Sequence, residues 1–226
     1  MTGKSVPIVY FSDVLCVWAY IAQLRVDAVK RAFGERVHFE QRFCSVFGDT
    51  AGKIAANWRD KGGYEGFNAH LRHSAERFPE ARLNPDIWLE VRPASSTGPH
   101  LFLKAVHLAE ASGRCAPGDL EKAVWAFRCA FFEQARDIAR WDVQRDVARQ
   151  VGVDLAAVEE LVHDGTAFAA LAADYHAADS MGIQGSPSFV LNEGRQKLYG
   201  NVGFRVIDAN IRELLRAPTV DQASWC

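Results

Sequence analysis

The run Asp13-Val14-Leu15-Cys16-Val17-Trp18-Ala19-Tyr20 places a thiol where a continuously apolar segment hands over to good helix formers. A sulfur at a helix N-terminus faces unpaired backbone N–H groups and the positive end of the helix dipole, and both favour thiolate over thiol. Cys16 is therefore positioned as a nucleophile; the alternative is a small buried residue, which is what most free cysteines are. Asp13 fits two roles, carrying a proton or capping the helix. Trp18, one step into the helix, fits a cover over the thiol or a platform for a ligand.

Gly182-Ile183-Gln184-Gly185-Ser186-Pro187-Ser188-Phe189 is the second such stretch. A proline directly before a strand has no N–H for the ladder, so Pro187 belongs at a strand start or in a turn, where trans and cis bonds both occur. Among the histidines, His70 and His73 are spaced to share a helix face, yet no neighbouring Cys or acidic cluster completes four ligands, and a solvated face is the simpler reading. His100 and His107 lie beside Leu101 and Leu108; His100 fits an acid or base lining a cleft, or a partly buried structural histidine.

These residues need a scaffold. Pro7 to Phe11 is apolar and partly β-branched, the pattern of a strand covered on both faces. Cys16 to Phe33 reads as a helix closed by Gly34. Val37 to Phe43 alternates like a second strand, giving a right-handed βαβ unit with parallel strands. From about Thr50 to Met181 no strand is evident and helical periods recur, with Leu101, Ala105 and Leu108 on one face and Leu120, Val124, Phe127 and Phe131 on another. Asp154 and Thr166 are expected N-caps, and Gly62-Gly63 and Pro93 to Pro99 the clearest loops. Ser188 to Leu191 and Lys197 to Tyr199 form an expected hairpin, followed by a helix over Val206 to Leu215. The order βαβ, helices, ββα predicts an α/β fold: residues 1–47 and 182–226 as one domain, with an inserted helical domain over 48–181.

With 226 residues, 49% hydrophobic and 24% charged, disordered and collagen-like classes drop out. The 26 basic and 28 acidic residues are well mixed, so no basic tract points to nucleic acid or an anionic membrane. Val14 to Ala22, the longest apolar stretch, is about half of a membrane span, and Asp13 interrupts the pattern a signal peptide requires. A cytoplasmic protein is expected, with Cys16, Cys44, Cys115, Cys129 and Cys226 as thiols at rest.

Taken together, Asp13 through Tyr20, Ala130-Phe131-Phe132-Glu133-Gln134-Ala135-Arg136-Asp137-Ile138 and Gly182 through Phe189 resemble, in order along the chain, the DsbA-like branch of the thioredoxin superfamily. That branch includes FrnE-type oxidoreductases, 2-hydroxychromene-2-carboxylate isomerases and kappa-class glutathione transferases. The resemblance implies a thioredoxin-like fold with a large all-helical insertion roofing the substrate cleft. It implies that Pro187 is a cis-proline facing the sulfur, that Cys16 is the attacking position, and that Asn201 contacts glutathione or substrate.

This chain departs from the family's C-P-x-C: Val17 replaces the proline and Ala19 the second cysteine, so a dithiol cycle cannot run within the motif. A single thiolate can still form a mixed disulfide, which a second thiol must resolve. Glutathione can supply it; Cys44, ending the strand parallel to the first, and Cys226, near the C-terminus, are further candidates. Cys115 and Cys129 read as packing or surface residues. The resulting expectation is a monothiol oxidoreductase in which Ser186 and Pro187 align the partner, a small molecule or a disulfide-containing peptide, as an added strand. Ala19 and Tyr20 also match the S-P-Y-x-Y of the isomerase and kappa-transferase branch, where glutathione itself reacts. A binding module that kept the cleft without catalysis is the third reading. No tightly bound cofactor and no metal are expected, glutathione is the expected co-substrate, and a homodimer fits the resemblance.

Overall fold

A computed structural model describes residues 5–216. Four strands among them, β1 (Val6–Ser12), β2 (Val37–Phe43), β3 (Ser188–Leu191) and β4 (Gln196–Tyr199), form one sheet in the order β2-β1-β3-β4. β1 and β2 run parallel from Val6 opposite Val37 to Ser12 opposite Phe43; β3 is antiparallel to both β1 and β4. The sheet is flanked by α1 (Val17–Phe33) and α9 (Phe204–Leu215). Between β2 and β3 come α2 (Thr50–Trp58), α3 (Gly63–Ala75), α4 (Thr97–Ala111), α5 (Asp119–Phe132), α6 (Trp141–Gln150), α7 (Leu155–His163) and α8 (Thr166–Ser180). This is the expected thioredoxin-like βαβ…ββα arrangement with helices interposed.

Central position explains the apolar texture of β1. Val6, Ile8 and Tyr10 pack with Val26, Val29 and Phe33 of α1 and Ile207, Ile211 and Leu214 of α9. The alternate residues Val9 and Phe11 pack instead with Val190, Cys44 and Ala178 of α8. β2 is an edge strand and buries only Phe43 fully, which accounts for its more polar sequence.

The interposed helices share one apolar cluster with the start of α1: Leu15, Cys16, Tyr20 and Ile21 pack with Trp88, Phe102, Phe127 and Phe131 among others. Tyr20 is bolted into it, its ring stacked between Trp125 and Phe132 at 5.3 and 4.9 Å and its hydroxyl donating to Glu133 at 2.8 Å.

Several expected boundaries move. Asp154 caps α7 through the N–H groups of Ala156 and Ala157, as expected. Thr166 does not cap α8: Gly165 holds the cap with φ +85°, and the Asp164 carboxylate accepts the Thr166 N–H at 2.8 Å. Gly63 begins α3 and Thr97 begins α4, so both expected loops are shorter than their Gly and Pro content suggested; a proline in a first helical turn gives up no needed donor. Gly66 has a steric reason, since a Cβ there would lie 1.7 Å from the Lys61 carbonyl oxygen, and this approach closes the α2–α3 corner. No helix among the described residues is long and apolar enough to cross a membrane.

Candidate active site

Ser12, at the end of β1, leads into a tight turn that ends on Cys16, the N-cap of α1, with φ −83° and ψ 116°. The Cys16 N–H donates to the Asp13 carbonyl, and the Cys16 carbonyl opens the helix by accepting from Ala19 and Tyr20, each at 3.1 Å. Asp13 holds this turn to its surroundings. One carboxylate oxygen accepts the Leu15 N–H at 2.9 Å. The other accepts from the amides of Val46 and Phe47, at 2.9 and 2.8 Å, and from the Ser96 hydroxyl at 2.7 Å. The loop after β2 and the start of α4 are thus fastened to the turn before the thiol. Asp13 is wholly buried and its acceptor capacity is occupied, so the geometry assigns it to positioning rather than to proton transfer.

His100 is placed similarly. Its Nε2 accepts the Val14 N–H at 3.1 Å and its Nδ1 meets the Tyr175 hydroxyl at 2.9 Å, while its ring stacks on Phe43. Asp13 Oδ1 lies 3.6 Å from the same Nε2. That approach is no ion pair, because the Nε2 lone pair already takes an amide proton and burial lowers the His100 pKa to about 4. The ring is neutral, carries its proton on Nδ1, and props up the turn; it does not reach the thiol's cleft.

Opposite Cys16 stands the segment before β3. The Asp13 N–H donates to Ser186 Oγ at 2.8 Å, and the Cys16 thiol donates to the Ser186 carbonyl at 3.2 Å. The Ser186–Pro187 peptide bond is cis. Cys16 is only 6% exposed. Burial pushes its pKa up, and the Asp13 charge adds to the rise; Ser186 and the backbone of Ala19 and Trp18 pull the other way without cancelling it. Desolvation of a charge at this depth thus works against the pull of the helix N-terminus toward thiolate.

The thiol lies at the foot of a cleft of about 220 Å³ walled by Trp18, Phe47, Trp58 and Phe67. Lys53 stands at its rim with Nζ 5.1 Å above the Phe47 ring, and His70 lies against Trp58. His73 turns away to Glu76, and no metal-holding group of three His, Cys, Asp or Glu residues occurs among the described residues. Trp18 also borders a second hollow, which contains Asn201. The structure thus brings Cys16, Trp18 and Ser186 to one cleft, with Pro187 buried next to it and Asn201 beyond the Trp18 ring.

Cys44 does not share this cleft. It borders an adjoining one with Tyr175 and Ala178, which shares Val46, Lys53, Gln184 and Gly185 with the Cys16 cleft, and burial drives its pKa far up. Cys16, Cys44, Cys115 and Cys129 are all free thiols. Cys226 lies outside the described residues. Sequence reasoning missed Ser96, Lys53, Trp58, Phe67 and Tyr199 as parts of the site. Tyr199, 59% exposed, covers Gly185 so closely that a Cβ on that glycine would lie 2.9 Å from its hydroxyl.

A family model described as DSBA-like thioredoxin domain matches residues 7–212. No curated protein matches the sequence significantly. Among solved structures, a probable DsbA oxidoreductase from Streptomyces coelicolor is similar at 20% identity and TM-score 0.72, over 95% of this chain and 92% of that one. The cytosolic disulfide reductase DsbM from Pseudomonas aeruginosa with GSH is similar at 19% identity and TM-score 0.64, over 91% and 99%. A 2-hydroxychromene-2-carboxylate isomerase is similar at 16% identity and TM-score 0.61, over 92% and 95%. At these identities the likeness is one of fold.

Proposed function

The chain belongs to the DSBA-like thioredoxin domain family, and from that membership we propose that it carries out thiol–disulfide exchange through a single sulfur, Cys16, with glutathione as its partner thiol. The observation that carries this reading is the placement of Cys16 Sγ at the N-cap of α1, at the foot of a cleft, facing the Ser186 carbonyl at 3.2 Å. Ala19 stands where a dithiol motif has its second sulfur, so release must come from outside the motif.

In the proposed cycle Cys16 first loses its proton to solvent. Its sulfur then bonds to one sulfur of a disulfide, that S–S bond breaks, and the departing thiolate takes up a proton. A glutathione thiolate next attacks the mixed disulfide at the substrate's sulfur, forms a new disulfide with it, and returns Cys16 as a thiolate that reprotonates. The backbone around Ser186 lines the cleft across from the sulfur, where an extended peptide or glutathione can lie as an added strand. A chain whose described cysteines are all free thiols suits the reducing cytoplasm.

The test is intact-mass analysis after exposure to oxidised glutathione, with peptide mapping, for the wild type and Cys16→Ala. The reading expects one glutathione adduct on Cys16, forming faster as pH rises because the thiol is held protonated, and its removal by reduced glutathione. An adduct that persists in Cys16→Ala, or no adduct at any pH, refutes it.

One observation favours a second reading. A neutral Cys16 that donates its S–H behaves like a hydroxyl, and such a group can hold the sulfur of glutathione while glutathione itself attacks an electrophile, as in a glutathione-dependent isomerase or transferase. That reading expects glutathione-dependent turnover without a mixed disulfide, and activity retained in Cys16→Ser.

A further inference from the structure

Trp88, in the loop between α3 and α4, holds its backbone in the left-handed region at φ +62° and is wholly buried. Its indole Nε1 has no hydrogen-bond partner among the described residues. For a bulky residue the first feature is a strained conformation, and the second leaves a donor desolvated. Neither is required to fill space, since a phenylalanine in ordinary backbone would bring a ring without an N–H.

The surroundings enforce this placement. The Trp88 N–H donates to the Val91 carbonyl at 2.8 Å, while the amides of Leu89, Glu90 and Val91 converge on the Asp86 carbonyl. Asn68 of α3, itself buried, donates to the carbonyls of Pro85 at 3.0 Å and Ile87 at 2.8 Å. The Asn84 N–H donates to the Phe132 carbonyl at the end of α5, at 2.7 Å. The loop is thus tied to two helices, and the direction of the indole is fixed with it.

The ring meets the aromatic wall of the Cys16 cleft from behind. It stacks on Phe47, with centroids 5.3 Å apart and planes 21° apart, and leans on Phe67 at 5.5 Å, with Phe131 edge-on at 5.0 Å. Phe47 and Phe67 line the cleft; Trp88 does not. The Phe47 backbone is already held, its N–H by Asp13 and its carbonyl by the Ser96 N–H, so what remains to be set is the angle of its ring. Trp88 is the surface on which that ring rests. Phe67 in turn bears on Trp58 at 5.3 Å, which carries the support to a third lining side chain.

We propose that Trp88 is a positioning residue for exchange at Cys16: by backing Phe47 and Phe67 it sets the width of the cleft, and so how firmly a disulfide partner is held beside the sulfur. It does not supply the sulfur's own reactivity. This assignment rests on the reading of Cys16 as the exchanging thiol.

The test is the rate of adduct formation on Cys16 against the concentration of oxidised glutathione, which yields a half-saturating concentration and a limiting rate. Alkylation of Cys16 by iodoacetamide, too small to use the wall, reports thiol reactivity separately. Trp88→Leu lets the two rings retreat, and its half-saturating concentration is expected to rise about tenfold, the scale of a one-methylene misfit in a pocket. Neither the limiting rate nor alkylation is expected to slow, because what is lost is binding. Trp88→Phe keeps a ring behind the wall and sheds the orphaned N–H, so it is expected to fold even where the leucine variant does not, and to fall between that variant and the wild type. Phe47→Leu combined with Trp88→Leu is expected to do no more than the larger single change, since both act on one wall. An unchanged half-saturating concentration in every Trp88 variant that folds, alkylation slowed in step with adduct formation, fully additive effects, or adduct formation that never saturates in the wild type would each overturn the assignment. No adduct on wild-type Cys16 would overturn the exchange reading along with it, which separates the two failures.

Discussion

Asp13 and Ser186 stand 173 residues apart in the chain and are joined by a 2.8 Å hydrogen bond from the Asp13 N–H to Ser186 Oγ. This bond fastens the turn before the thiol to the segment before β3, and it sets the Ser186 carbonyl where the Cys16 S–H reaches it. The Cys16 cleft is therefore held at its foot by one residue from each half of the sheet.

Ser186→Ala removes the acceptor and leaves the Asp13 N–H buried without a partner. The expected cost is about 1–3 kcal/mol of folding stability, the penalty of an orphaned buried donor. Urea denaturation at neutral pH measures it, and a midpoint equal to that of the wild type would show that the segment finds another tether.

Asp13→Asn has two separable consequences. The amide cannot reproduce four acceptor contacts, since its NH₂ end must face donors, so stability should fall by about 3 kcal/mol. The same change removes a negative charge that raises the Cys16 pKa, so the pH at which iodoacetamide alkylates Cys16 half-maximally should move down. An upward or absent shift in a folded variant would mean that Asp13 does not act on the thiol.

His100 governs the acid side. Its folded pKa of about 4 lies below the unfolded value of roughly 6.5. Between those values the unfolded chain binds a proton that the folded chain does not, so stability contributed by the neutral ring is present above pH ~6.5 and is lost as pH falls toward 4. The full swing is on the order of 3 kcal/mol. His100→Gln, compared with the wild type by chemical denaturation between those limits, should flatten this part of the pH profile; parallel profiles would show that the ring is protonated in the folded protein.

What could be read in the residues was local. The apolar run of β1, the stop at Gly34, the hairpin around Asn192-Glu193-Gly194 and the place of Cys16 at a helix start each depend on a few neighbouring side chains. Thr166 was displaced as a cap for an equally local reason, because Gly165 takes the left-handed conformation and Asp164 supplies the acceptor. The charge state of Cys16 was a different matter. The helix N-terminus that favours thiolate is visible in sequence, but the burial that opposes it arises only when Cys16 joins the apolar cluster it shares with residues from the region between β2 and β3. The Asp13 contacts to Val46, Phe47 and Ser96 and the cover of Tyr199 over Gly185 are likewise long-range, and no spacing announces them.

Cys16 and Cys44 together predict an alkaline limb. Burial raises both folded pKa values above the ordinary thiol value of roughly 8.5. Above that pH the unfolded chain releases protons that the folded chain keeps, so stability complete at neutral pH is lost as pH rises toward the folded values, at up to about 1.4 kcal/mol per pH unit for each thiol. Tyrosines join only near their own value of roughly 10, which leaves a window of about one and a half pH units belonging to the thiols. Within it, under reducing conditions, Cys44→Ala should lose stability with pH less steeply than the wild type, by about one proton's worth of slope. Because Cys44 lies outside the Cys16 cleft, the same variant should still acquire a glutathione adduct on Cys16. An unchanged slope would show that Cys44 titrates normally in the fold, and failure of the adduct to clear under reduced glutathione would make Cys44 the resolving thiol in place of glutathione.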